Sequence, residues 1–390
     1  MIEYENLAKT NAPYMASLCE AASEVVQSGW YILGQKVTAF ESAFAQYLDV
    51  KHCIGVANGL DALTLSFMAL DLPERSEVLV ASNTYIATIL GILHAGLVPV
   101  LVEPDISTYN INPDGFHATL TRKTSALCVT HLYGRACDML RITAFAKAHD
   151  LVIVEDCAQS HGAQLNGQMT GTYGLGCFSF YPTKNLGALG DAGAITTNND
   201  DWADRLRHLR NYGSKKKYFN QFVGYNSRLD ELQAAFLMEK LPDLHLITAH
   251  KRKLAALYRQ HLPQELVHPA AAHPEQDVHH IFPIRHPQRD ALRQFLLERD
   301  IKTEIHYPVP PHRQAAIQGL FAGDYPIADL IHNSILSLPI SAATTVDEVL
   351  QVCLAVQAFC ITGEAAWKPL QSLLKAALAR NGSSKNSTEL

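Results

Sequence analysis

The chain has no uninterrupted apolar run that could cross a membrane. Its most apolar window, residues 78–102, is broken by Asn83, Thr84, His94 and Pro99, and a span needs about 20 predominantly apolar residues. It has no surplus of basic charge. Its formal net charge of −6 leaves no electrostatic footprint for nucleic acid, so a polyanionic substrate would have to be met by local cations. None of its eight cysteines has CxxC or zinc-type spacing, which argues against a metal–thiolate centre. A chain of 390 residues buries enough apolar surface to do without disulfides, so reduced thiols in a cytoplasmic enzyme are expected. The opening Met1-Ile2-Glu3-Tyr4-Glu5-Asn6 lacks a basic stretch followed by an apolar one, and no secretory leader is expected.

What is present is the patterning of an ordinary globular protein, with 48% hydrophobic and 18% charged residues, and a length that favours two domains. Helical apolar spacing over 13–28 stops at Ser28-Gly29, and 36–48 reads as a second helix. Short apolar strands follow at 52–57, 77–81, 97–102, 126–131 and 151–155, alternating with helical segments of 10–15 residues. That alternation marks parallel βαβ units with helices on both faces of a sheet. After the first strand, Asn58-Gly59-Leu60-Asp61 opens a helix. Free backbone N–H groups and the positive end of a helix dipole at such a turn favour a phosphate. The signal is weak taken alone, because every α/β protein has several.

Two later stretches carry chemistry. Leu151-Val152-Ile153-Val154-Glu155-Asp156 reads as a buried strand that delivers Asp156 at its carboxyl end, where open α/β sheets bind ligands. Cys177-Phe178-Ser179-Phe180-Tyr181 is another strand, followed by Pro182-Thr183-Lys184 and by Gly187, Gly190 and Gly193. A lysine among apolar groups loses hydration of its charge, its pKa falls, and it becomes a Schiff-base former. A carboxylate opposite it suits the protonated pyridine nitrogen of pyridoxal 5′-phosphate. The plainer readings are a surface lysine in a glycine-rich loop and a helix-capping aspartate. Their pairing, 28 residues apart with each after a strand, favours the cofactor.

These stretches resemble the DegT/DnrJ/EryC1/StrS sugar aminotransferases, as do Ser28-Gly29-Trp30-Tyr31-Ile32-Leu33-Gly34, Tyr225-Asn226-Ser227-Arg228-Leu229-Asp230-Glu231 and Ile305-His306-Tyr307-Pro308. The resemblance runs through most of residues 1–360 in the family's order. It implies a pyridoxal-phosphate-dependent transferase of fold type I, aspartate aminotransferase-like, with a mostly parallel central sheet. The expected division is a large domain over 1–244, a smaller α/β domain over 245–362, and a terminal helix and disordered tail over 363–390. The resemblance also implies roles. Lys184 and Asp156 are catalytic. Gly59 and Leu60 hold the cofactor phosphate through their amides, and Ser179 through its hydroxyl. Tyr85 stacks on the ring, with a core tyrosine as the alternative. Gln159 contacts the phenolic oxygen, or else satisfies a backbone group. Asn226, expected to open a helix running to Met238, reaches the partner subunit's phosphate in a homodimer with shared sites. Tyr181, Lys217, His306 and Tyr307 are candidates for the substrate, and the basic run from Arg210 to Tyr218 for its diphosphate. His161 reads as a hydrogen-bonded, near-core histidine rather than an acid or base. No metal is expected.

One branch of the family has histidine in place of the Schiff-base lysine and dehydrates sugars, so Lys184 argues for amino transfer. Tyr181 stands where 4-keto enzymes tend to have histidine, and residues 76–111 and 177–197 resemble enzymes of dTDP-3-amino-3,6-dideoxyhexoses of surface polysaccharides such as lipopolysaccharide. The expected reaction takes L-glutamate and a dTDP-linked 3-keto-6-deoxyhexose, galacto in preference to gluco. The rivals are a 4- or 2-keto sugar nucleotide aminotransferase, a lyase or desulfurase of the same fold, and a cofactor-binding regulator without turnover.

Overall fold

The computed structural model describes residues 1–216, 218–263, 266–270 and 273–362. The centre is a seven-stranded sheet in the order His52–Val56, Gly193–Thr197, Leu175–Ser179, Val152–Asp156, Thr124–Thr130, Glu77–Ala81, Val98–Val102. Only Gly193–Thr197 runs against its neighbours; the other strands are parallel, as expected from their continuous aliphatic runs. Val154 at the sheet centre, Cys128 on the next strand, and Val78 and Val80 one strand further out are fully buried, packed with Leu63, Ile89 and Leu206 from the covering helices. The opposite face packs through Leu79, Leu127 and Ile142.

Helix ends follow local chemistry. Met15–Ser28 stops at Gly29, whose φ of 63° is the left-handed conformation glycine adopts without strain. Gly59–Ala69 starts at Asn58, whose side chain accepts a hydrogen bond from the Asp61 amide at 2.8 Å. One expected boundary is wrong. The segment from Asn226 is extended, with an Asn211–Asn226 bridge, and the helix begins only at Glu231 and ends at Lys240. Asp230 keeps extended dihedrals there, and Arg228 and Ser227 are drawn into hydrogen bonds elsewhere.

A second apolar cluster is built almost wholly from later residues. Leu254 and Tyr258 of the helix Leu244–His261 pack on Phe282 and Ile284 of the strand Phe282–Arg285, on Leu336 of the strand Ile335–Leu338, and on Val352 of the helix Val346–Thr362. The two strands pair antiparallel. Ile2 joins this cluster from the other end of the chain, its amide donating to Asp300 O at 2.6 Å. No helix among the described residues is long and apolar enough to cross a membrane.

Candidate active site

All the expected cofactor residues from the sheet lie at its carboxyl edge. The turn after His52–Val56 brings the start of the helix Gly59–Ala69 against Ser179, the last residue of its strand. The approach is close: a Cβ on Gly59 would come within 2.6 Å of Ser179 Cβ, so glycine is required there. The cap and the first helical bond engage the amides of Asp61 and Ala62. The amides of Gly59 and Leu60 have no partner among the described residues. Two free N–H groups, a helix N-terminus and the Ser179 hydroxyl make an anion cradle.

Asp156 ends the central strand, 6% exposed. Its carboxylate accepts hydrogen bonds from the Thr88 hydroxyl at 2.7 Å and the Ala158 amide at 3.1 Å, yet it forms no ion pair among the described residues. Lys184 follows a tight turn, its amide donating to Tyr181 O at 2.8 Å. Burial pushes its amine down to about 8, with the Asp156 charge opposing that fall. Its Nζ lies 3.5 Å from His280 Nε2.

The Tyr85 ring is 46% exposed and tilted at 4.8 Å from the Tyr307 ring, which rules out the core-tyrosine alternative. Gln159 Oε1 accepts from the Tyr133 amide at 2.6 Å, and Gln159 Nε2 donates to Tyr307 Oη at 2.9 Å. The backbone-satisfying alternative for Gln159 is therefore realised on its oxygen, while one amide hydrogen is spent on Tyr307. His306 bonds Ser337 Oγ at 2.9 Å, and burial with the nearby Lys184 charge lowers its imidazole to about 4. Tyr307 is raised by burial and by the neighbouring Tyr85 hydroxyl.

Residues 15–357 match the DegT/DnrJ/EryC1/StrS aminotransferase family. The chain belongs to that family. A dTDP-3-amino-3,6-dideoxy-alpha-D-galactopyranose transaminase of Aneurinibacillus thermoaerophilus is 49% identical over 92% of this chain and 99% of that protein. A pleiotropic regulatory protein of Geobacillus stearothermophilus is 43% identical over 81% of this chain and 87% of its own length. Among solved structures, S. venezuelae DesV in complex with a ketimine intermediate superimposes with a TM-score of 0.90 at 39% identity, covering 92% of this chain and 98% of that one. The protein is thus a sugar-nucleotide aminotransferase.

The residues present fit the family's pyridoxal phosphate. A buried carboxylate with no cation in contact among the described residues suits a protonated ring nitrogen, and the unpartnered Gly59 and Leu60 amides suit a phosphate. Tyr181 is 52% exposed beside Ser179, whose Oγ accepts from its amide. Asn226 is exposed, next to Ser227, whose hydroxyl accepts from the Ala57 amide at 3.2 Å beside the cradle. Lys217 lies outside the described residues, as does 363–390. The basic run is largely engaged: Arg210 is buried against Glu41 and the Gly55 carbonyl, Lys215 pairs with Asp204, and Lys216 lies over the Phe219 ring at 4.9 Å.

His161 departs from its expected state. It is fully buried between Phe178 and Phe180, and neither ring nitrogen makes a hydrogen bond of normal geometry, although the Ser179 backbone lies alongside. Three polar side chains beside Asp156 and Lys184 were given no part in the site by the sequence reading. Thr88 sits in the first turn of the helix Ile86–His94, His280 before a strand, and Lys251 inside a long helix. For Lys251 a signal existed, a cation within an apolar helical stripe; for the other two, only the fold gives one. His131, Glu155 and Cys157 cluster in the interior, but Glu155 is already satisfied by His131 Nε2 at 3.0 Å and by the Gly171 and Tyr173 amides.

Proposed function

We propose that this aminotransferase uses pyridoxal 5′-phosphate at Lys184 to move the amino group of L-glutamate to C3 of dTDP-3-keto-6-deoxy-D-galactose. The product, dTDP-3-amino-3,6-dideoxy-D-galactose, would serve a surface polysaccharide such as an O-antigen or S-layer glycan. The observation that carries the chemistry is Lys184, its amine lowered to about 8, near a buried carboxylate without a contacting cation. The choice of sugar is supported by the 49% identity to the Aneurinibacillus transaminase.

When bound, the cofactor supplies an aldehyde for the amine and a ring that withdraws electrons from the carbon losing its proton. Asp156 keeps the ring nitrogen protonated, and the Thr88 hydroxyl and Ala158 amide fix that carboxylate. Gly59, Leu60 and Ser179 would hold the phosphate, Tyr85 would cover one face of the ring, and Gln159 would contact its phenolic oxygen. Lys184 Nζ would take the proton from Cα of L-glutamate and deliver it to the cofactor's aldehyde carbon two bonds away, and would run the reverse on the sugar carbon. An amine pKa near the working pH lets it do both. We further propose a cytoplasmic homodimer in which Asn226 completes the partner's phosphate site, with 1–244 and 245–362 as its domains.

The test is the absorbance of the cofactor-loaded enzyme. L-Glutamate should shift the band, and dTDP-3-keto-6-deoxy-D-galactose should return it faster than the gluco epimer or a 4-keto isomer. Return only with a 4- or 2-keto sugar would keep the chemistry and overturn the substrate. Bound cofactor that ignores L-glutamate would favour the regulator without turnover.

A further inference from the structure

Among the described residues, Lys184 Nζ has one side-chain hydrogen-bond partner, His280 Nε2 at 3.5 Å. The imidazole is carried to that place by a closed set of contacts. Lys251 Nζ donates to His280 O at 3.1 Å and to Asn185 Oδ1 at 2.7 Å. Asn185 Nδ2 donates in turn to Val278 O at 3.0 Å. Residues 278–280 are thus fastened to the Lys184-Asn185 pair from both sides, through a lysine of the helix Leu244–His261 that is 3% exposed. The other ring nitrogen, His280 Nδ1, is buried without a partner. A histidine kept for its own structural bonds would engage both nitrogens. Here the side chain's one bond goes to the lysine.

The charged and titratable groups around it decide which way that bond runs. Lys184, Lys251, His306 and His161 surround the imidazole, and burial together with these positive or protonatable neighbours holds it well below its usual range. Asp156 is the carboxylate that acts on Lys184. A neutral ring beside an ammonium accepts its N–H.

We propose that His280 is a positioning residue for Lys184: its Nε2 accepts a hydrogen bond from the amine whenever the amine is not bonded to the cofactor. A lysine has four flexible side-chain bonds, and an acceptor at one fixed point returns the amine to one place between successive proton transfers. This rests on the role given to Lys184 above.

The experiment compares the full-length protein with His280→Gln, which reaches Nζ with a polar atom, and His280→Asn, which is one bond too short. In cofactor-free protein, acetic anhydride labelling of Lys184 against pH, read by peptide mass, reports the amine's titration. The acceptor stabilises the ammonium, so His280→Asn should lower that midpoint by about half a unit, while His280→Gln should hold it. In the loaded enzyme, the single-turnover rate with L-glutamate should fall about tenfold in His280→Asn. The glutamate KM should stay unchanged, the acid limb of the pH profile should move down with the labelling midpoint, and His280→Gln should restore most of the rate. Equal titrations in all three proteins, or equal losses in both variants, overturn the proposal. If one variant does not fold, a folded His280→Asn with unaltered titration, or a folded His280→Gln with a lowered one, still overturns it. Failure of the unaltered enzyme to react with L-glutamate would sink the proposed function instead, leaving the labelling result to judge His280.

Discussion

Lys184 carries its proton below about pH 8 and is free above it, since burial lowers its amine to about that value. Only the free amine attacks an aldehyde. Covalent uptake of pyridoxal phosphate by the cofactor-free protein should therefore accelerate as pH rises from 7 through about 8 and then level off. Lys184→Ala should show no covalent uptake at any pH, read by borohydride reduction and peptide mass. His161 provides a stability test. Burial lowers its imidazole from 6.5 to about 3, so the unfolded chain takes up a proton that the fold refuses. Its contribution is fully present above pH 6.5 and is lost as pH falls towards 3. His161→Leu removes that dependence along with two unpartnered ring nitrogens. The unfolding free energy from urea titration should rise by about 1–3 kcal/mol at pH 7, and the loss of stability between pH 6 and 4 should be shallower than in the unaltered protein. An acid loss as steep as in the unaltered protein would mean that the folded ring takes up its proton as readily as the unfolded one. His280, His306 and His332 are shifted the same way, so only the difference between the two proteins is diagnostic.

At the scale of the element, the start of the helix Gly59–Ala69 combines two requirements, an Asn58 cap and a glycine facing Ser179. Gly59→Ala would push a methyl to 2.6 Å from Ser179 Cβ, a separation that forces the helix and strand apart. We expect pyridoxal phosphate affinity to drop at least tenfold by fluorescence titration, with a smaller change in thermal midpoint, because the clash lies in the cradle and not in the core. Asn58, Gly59 and the strand before them were legible in the sequence because capping and left-open amides are local. The Asn226 helix start was misread for a complementary reason. Ser227 and Arg228 look like a helix opening, but their side chains bond to Ala57 and Asn211, far away in sequence, and those bonds keep the segment extended.

The whole molecule raises the question of assembly. Trp30, Tyr31, Tyr218, Phe219 and Val223 are exposed, apolar side chains that the second subunit of the proposed dimer would be expected to cover. If each site takes Lys184 from one subunit and Asn226 from the other, mixing two weak parents gives a clear answer. Lys184→Ala and Asn226→Ala homodimers, dissociated and reassociated together, should recover about a quarter of normal activity. Half of the dimers would then be hybrids, each with one intact site. No recovery, with hybrids verified by native mass spectrometry, would place both residues in the same subunit's site.

The sequence by itself determined the parallel α/β sheet, the family, and the placing of Asp156, Ser179 and Gly59 at one edge of that sheet. The sheet and the edge positions depend on period, on caps and on strand ends, readable over a few residues, while the family rests on the resemblance of several such stretches in order. Tertiary structure alone decided what surrounds Lys184. His280 and Lys251 stand 96 and 67 positions from it, and only packing of the later cluster against the Lys184 loop brings the imidazole to 3.5 Å. Thr88 reaches Asp156 across 68 residues in the same way. The amine's pKa follows from that burial, because desolvation is a property of the filled space around a charge and not of its neighbours along the chain.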